Sequence, residues 1–161
     1  MITIYTDGAC SGNPGKGGFG IVMISGKHRK EISRGFRHTT NNRMELLSVI
    51  VALEALKIEN SEVRIYSDSK YVVDAIEKGW LNDWIRKKFK KIKNQDLWLR
   101  YLDIEASHRV KLIWIKGHAN NIENERCDQL AVEAASGKDL LIDVEYEKNE
   151  SAQTNIGERI I

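Results

Sequence analysis

Asp7 and Asp68 each stand directly after a short run with the alternation of a β-strand, in Thr6-Asp7-Gly8 and Ser67-Asp68-Ser69. Parallel strands of an open sheet place their carboxyl ends at the ligand crevice, so two aspartates at such ends can lie side by side. Each is also ordinary turn or helix-cap chemistry. Glu45 divides in the same way. Asn42-Arg43-Met44-Glu45 fits a capping box, in which the glutamate reaches back to the cap amide, yet Glu45 also opens a strongly apolar helix and need not face solvent. Asp128 falls in the expected first turn of the last helix beside Cys127, where the helix dipole alone would stabilise it. His118 lies in the loop 116–123 after a strand, either as a spectator or as a proton carrier beside the carboxylates.

The elements that must position these groups follow from the periodicity. Ile2, Ile4 and Thr6 alternate with Thr3 and Tyr5, and residues 20–24 and 31–36 read as two further strands, giving an antiparallel meander. The glycine-rich stretch 8–18, with Asn13-Pro14-Gly15 as a turn signal, reads as the punctuation between the first two. Leu46, Val49, Ile50, Leu53 and Leu56 then take helical spacing over 42–57. A strand at 63–66, a helix at 69–78, a partly helical segment at 80–93, a helix at 96–107, a strand at 110–115 and a helix at 125–136 complete the order, with Gly137 at a left-handed cap position. Each of the last two strands is reached through a helical crossover, so both are expected parallel to the first. The fold class is therefore α/β, a mixed five-stranded sheet flanked by helices.

At 161 residues, with 42% hydrophobic and 30% charged residues and a single proline, the chain suits one well-buried domain and not a disordered or low-complexity protein. The domain is expected over 1–146, with a basic protrusion at about 80–95 and a flexible tail at 147–161. No apolar run approaches the roughly eighteen residues of a membrane span, and no signal peptide precedes the first strand. Two cysteines build neither a disulfide framework nor a Cys-rich zinc site, which points to a reducing cytoplasm. The net charge of +2 hides an uneven distribution: residues 138–161 hold 3 basic and 6 acidic side chains, while 86–93 holds six positive charges in eight residues. Basic residues interleaved with aromatics suit a surface that tracks phosphates.

Six blocks carry a resemblance: Thr6-Asp7-Gly8-Ala9-Cys10, Gly12-Asn13-Pro14-Gly15, Thr39-Thr40-Asn41-Asn42-Arg43-Met44-Glu45, Ser67-Asp68-Ser69, Trp114-Ile115-Lys116-Gly117-His118-Ala119 and Asn124-Glu125-Arg126-Cys127-Asp128. In this order, over residues 1 to about 137, they resemble type 1 ribonuclease H. The resemblance implies the ribonuclease H-like fold and a site of four carboxylates, Asp7, Glu45, Asp68 and Asp128. Hard oxygen ligands of this kind select Mg²⁺, with Mn²⁺ as a substitute. Two ions would serve hydrolysis of the RNA strand of an RNA–DNA hybrid, leaving 5′-phosphate and 3′-hydroxyl ends, and His118 would shuttle a proton. By the same resemblance Asn13 and Asn41 read the RNA strand, Thr40 and Asn94 cradle a DNA phosphate, and Trp80 packs on a deoxyribose. Cys10, Gly12 and Asn42 join that substrate surface, and Lys87 and Lys88 belong to the family's basic protrusion. His38 and Lys70 depart from many bacterial members, which carry Arg and Gln there. A monomer acting on a hybrid duplex, without an obligate protein partner or a membrane, is the expected form. A resolvase or integrase core is the nearest rival, disfavoured by the Asn-rich blocks, and a binding module without catalysis is the second.

Overall fold

The computed structural model describes the backbone of residues 1–160 and the side chains of 1–153. The chain runs β1 (Ile2–Gly12), β2 (Gly15–Ser25), β3 (His28–Thr39), α1 (Asn41–Glu54), β4 (Glu62–Ser67), α2 (Lys70–Glu77), α3 (Trp80–Arg86), α4 (Gln95–Glu105), β5 (Arg109–Trp114), α5 (Ile122–Ala135) and α6 (Val144–Ile160). The sheet order is β3-β2-β1-β4-β5. β1, β2 and β3 pair antiparallel, and β4 and β5 continue the sheet in parallel with β1, as the crossover argument requires.

The meander is longer than its apolar pattern suggests. β1 continues through the glycine-rich segment to Gly12, which pairs with Gly15 across a two-residue turn. The glycines there do not break the strands; they admit a helix. A Cβ on Gly20 would stand 2.3 Å from the Cys127 carbonyl oxygen, and one on Gly18 2.5 Å from that of Ala131. The α5 backbone therefore lies almost on the sheet, with Val22, Cys127 and Leu130 packed between them. The opposite face carries the main core, where Ile4, Ile21 and Ile65 meet α1 and, behind it, Trp98 and Tyr101 of α4. Every residue of α1 from 43 to 50 is buried, because the helix is enclosed by the sheet and α4.

Four local expectations are corrected. The α1 cap is Thr40, whose hydroxyl accepts from Arg43 N, and not Asn42, so Glu45 lies beyond reach of a capping box. α5 begins at Ile122 with Asn121 as its cap, which moves Asp128 from the first turn to the second. Gly137 is not left-handed; the left-handed glycines are Gly12, Gly26 and Gly79. The tail expected at 147–161 instead continues α6 through Ile160, with Ile161 outside the described residues. Its acids find partners far away in sequence: Glu147 pairs with Arg37, and Glu150 meets His38 Nε2 at 2.8 Å. Ahead of α6, Leu141 exchanges backbone hydrogen bonds with the β3 edge, accepting from Arg37 N and donating to Gly35 O.

Candidate active site

Asp7 lies inside β1 opposite Gly20 and is 5% exposed. Glu45, equally buried, arrives from α1 because β1 and α1 nearly touch: a Cβ on Gly8 would stand 2.7 Å from Glu45 N. Asp68 follows the last paired residue of β4. One carboxylate oxygen from each of the three lies within 4.8 Å of the others. The paired strand ends thus do what the sheet topology allows, and the glutamate joins them because its helix has no room to stand further off.

This grouping is electrostatically costly as it stands. Burial, then the charge of Asp68, pushes Asp7 up to about 8. Burial, then Asp7 and Asp68, pushes Glu45 well above the usual carboxylate range. Three ionised carboxylates this close, two of them buried, are disfavoured together unless a cation offsets their charge. Glu45 Oε2 remains buried without a hydrogen-bond partner. Three clustered carboxylate oxygens with no nitrogen or sulfur donor among them, beside a buried Glu45 oxygen that lacks a partner, fit a hard divalent cation. Asp128 is not one of this cluster, though its charge adds, after burial and Asp68, to the upward push on Asp7.

His118 is exposed in the loop after β5 and adopts a left-handed backbone, φ 55°. The other residues expected on a substrate surface divide into two groups. Asn13, at the β1–β2 turn beside Gly12, accepts from Asn41 N at 3.1 Å and so ties the hairpin tip to the start of α1. Asn94, left-handed at φ 63°, accepts from Arg43 at 3.3 Å and donates to the Tyr71 hydroxyl at 3.1 Å. A groove of about 940 Å³ runs past Asn13, Thr40, Asn42 and Asn94, with Lys91 and Lys93 at one margin. Trp80, Lys87 and Lys88 lie outside it, on exposed surface. Cys10 Sγ faces the carbonyls of Thr39 at 3.4 Å and Gly15 at 3.7 Å, and burial pushes its thiol up, so it serves the hairpin and not a nucleophilic role.

Sequence reasoning missed the groove's other wall. Glu145, Tyr146, Asn149 and Glu150 of α6 line it, and His38 is paired to one of them. The charge run at 86–93 is also less naked than it reads, since Arg86 is paired with Asp83. Trp84 and the buried Phe89 belong to a hydrophobic cluster, with Trp84 edge-on to Trp98.

The family described as RNase H matches residues 1–136. A curated Ribonuclease H from Desulforamulus reducens is 60% identical over 148 residues, covering 89% of this chain and 92% of its own length. Among solved structures, LC9-RNase H1, a type 1 RNase H with the type 2 active-site motif, aligns with a TM-score of 0.77 at 32% identity, over 84% of this chain and 72% of that one. LC11-RNase H1 in complex with RNA/DNA hybrid aligns at 0.64 and 27% identity, over 84% of this chain and 96% of its own. On sequence and fold together, the chain belongs to the RNase H family.

Proposed function

We propose that this chain is a Mg²⁺-dependent endoribonuclease that hydrolyses the RNA strand of RNA–DNA hybrids, leaving 5′-phosphate and 3′-hydroxyl ends. The observation that carries the reading is the cluster of buried Asp7 and Glu45 with half-buried Asp68, beside an orphaned Glu45 oxygen. Asp7, Glu45 and Asp68 would hold one ion, and Asp7 with Asp128 a second, with Mn²⁺ as a substitute. Bound there, the ions would lower the barrier to attack by water and neutralise charge on the leaving oxygen. The protein's own part is to hold the carboxylates preorganised and to present the hybrid. Asn13 and Asn41, backed by Cys10, Gly12 and Asn42, offer amides and backbone groups to ribose hydroxyls, which separate RNA from DNA. Thr40 and Asn94 offer donors to a DNA phosphate, with Trp80, Lys87 and Lys88 further along the same strand. His118, exposed on its loop, carries a proton to or from the reacting phosphate. The chain acts as a monomer in the cytoplasm; among the described residues no helix is long and apolar enough to cross a membrane. The decisive experiment compares cleavage of matched hybrid, duplex RNA, duplex DNA and a four-way junction, with and without Mg²⁺, and identifies the product ends. Hybrid cleavage equal to that of the junction, or cleavage independent of Mg²⁺, would defeat the proposal.

Two expected outcomes follow from this division of labour. His118→Ala should slow turnover by about 10²-fold, the typical loss of a proton-transfer group, with hybrid affinity unchanged. Parent-like rates from about pH 6 to 9 would make His118 a spectator. Changing Lys87, Lys88, Lys90 and Lys91 to Gln should weaken hybrid binding about ten- to a hundredfold at 0.1 M salt, irrespective of sequence. If about three of them meet phosphates, the slope of log affinity against log salt flattens by roughly 2–3 units, while kcat at saturating hybrid is retained. An unchanged slope would leave the run as a solubilising surface.

A further inference from the structure

Of the three clustered carboxylates, Asp68 alone lies outside regular structure. Asp7 is fixed within β1 and Glu45 within α1, whereas the last residue of β4 paired in the sheet is Ser67, opposite Trp114. The ends of the turn are anchored, Ser67 O by Ile115 N at 3.0 Å and Ser69 as the cap of α2, which leaves Asp68 between them to be oriented by its own contacts. Ser67 Oγ accepts from Ser69 N at 3.1 Å, which turns the chain toward α2. Trp114 Nε1 donates to the Asp68 backbone carbonyl at 3.1 Å. From the loop after β5, Gly117 leaves room for the carboxylate, since a Cβ there would stand 2.7 Å from Asp68 Oδ2. The carbonyl is held by an indole, and the carboxylate rests against a glycine.

The indole is poorly explained as core. Trp114 is 42% exposed, and hydrophobic stabilisation scales with the area removed from water. What its position supplies is a fixed donor. Lys70, the first residue of α2, places its ammonium 5.0 Å from the centroid of the ring. A cation over an aromatic face holds both partners in one arrangement. The ring is thereby constrained by the Asp68 carbonyl at its N–H and by Lys70 over its face.

We propose that Trp114 is the positioning residue for the metal ligand Asp68, with Lys70 fixing the indole in the donating rotamer. The inference rests on the metal-dependent reading above. Asp68 is useful only if its oxygen stays with those of Asp7 and Glu45, within the 4.8 Å span of the cluster. Without the indole bond the Asp68 peptide, anchored only at its two neighbours, samples orientations that carry its carboxylate outside that span, and metal affinity falls. Groups that orient ligands typically cost 10- to 100-fold in metal affinity when removed, and a strut acting through the backbone belongs near the lower end of that range.

The test is Mn²⁺ binding to the free full-length protein, measured by the electron paramagnetic resonance of unbound Mn²⁺ and by calorimetry. Trp114→Phe should weaken Mn²⁺ about tenfold and raise the Mg²⁺ needed for half-maximal hybrid cleavage by a similar factor. Hybrid affinity in EDTA and kcat at saturating Mg²⁺ should stay near the parent's. Trp114→His, which keeps a ring N–H, should recover part of the loss. Lys70→Met should weaken Mn²⁺ by a smaller factor, about threefold. Gly117→Ala disturbs the carboxylate from the other side and should weaken Mn²⁺ without touching the indole. Parent-like Mn²⁺ affinity in Trp114→Phe overturns the inference and leaves the proposed function standing if the parent cleaves hybrid. So does a collapsed melting temperature in that variant, which would show a core role. A parent that neither binds Mn²⁺ nor cleaves hybrid overturns both, and one that cleaves hybrid without binding Mn²⁺ overturns the inference alone.

Discussion

Asp7→Asn is expected to cut Mg²⁺-dependent hybrid cleavage by on the order of a thousandfold or more while making the metal-free protein more stable. The two effects share one cause. The carboxylate is buried beside Glu45 and Asp68, an arrangement suited to a cation and costly without one. The pH dependence follows from linkage. With its folded pKa at about 8, above the ordinary value near 3.9, Asp7 holds a proton in the folded state over a range where the unfolded chain has released it. Its contribution to stability is therefore fully present below about pH 4 and is lost as pH rises through about 8. Asparagine removes that loss. Because Asp7 lies beside Glu45 and Asp68, which respond to its loss of charge, we expect a gain of about 1–3 kcal/mol at pH 8 in EDTA, or roughly 2–12 °C in melting temperature for a chain of this size. The gain should shrink toward pH 4. Adding Mg²⁺ should raise the parent's melting temperature and leave the variant's nearly unmoved, since only a ligand that binds the folded state stabilises it. Thermal melts from about pH 4 to 9, with EDTA or Mg²⁺, read all of this. A variant that melts below the parent at pH 8, or keeps substantial Mg²⁺-dependent turnover, would remove Asp7 from the centre of the site.

The contrast between what periodicity shows and what it hides is physical. Asp7 and Asp68 were legible because strand alternation and crossover connections locate strand ends from local sequence alone. The glycine-rich segment misled because glycine has two uses. Read locally it breaks strands, but Gly18 and Gly20 here make room for the α5 backbone, a neighbour more than a hundred residues away. Thr40 and Asn42 are both good caps, and only the backbone decides between them: Thr40 is extended and its hydroxyl meets Arg43 N. α6 was illegible because a polar, acidic segment looks solvated until its partners, Arg37 and His38, are placed beside it. Trp114 stood within a quoted motif, yet its role depends on where its N–H ends, and no spacing rule reports that.

Arg43→Met should produce the largest loss of stability, about 3–5 kcal/mol, with a fall in melting temperature of roughly 6–20 °C. Exposed ion pairs such as Arg37–Glu147 are worth about 0–1 kcal/mol by comparison. Arg43 is 3% exposed and stands between two carboxylates, meeting Asp143 through Nε at 2.7 Å and Asp96 through Nη2 at 2.7 Å. Methionine keeps the aliphatic stem and removes the charge, leaving Asp143, itself buried, and Asp96 without their cation. Burial alone would raise the Asp96 carboxyl, but its hydrogen bonds to Arg43 carry it below the ordinary range. In the parent that depressed value contributes stability present above the unfolded pKa of about 3.9 and lost as pH falls through the folded one. In the variant the sign reverses for Asp96, because burial then favours its protonated form, so the deficit should narrow from about pH 7 to pH 4. Combining Arg43→Met with Asp96→Asn and Asp143→Asn should recover a large part of the loss, since no buried charge is then left unpaired. The damage should also reach the groove. Arg43 holds the Asn94 side chain at 3.3 Å, and its own amide is capped by Thr40, so the proposed phosphate donors lose a shared anchor. Hybrid affinity should weaken even at temperatures where the variant remains folded. Urea unfolding at the two pH values, with hybrid binding at low temperature, tests both halves. A loss under about 1 kcal/mol would mean that the carboxylates find other partners and that Arg43 is dispensable to the junction of α1, α4 and residue 143.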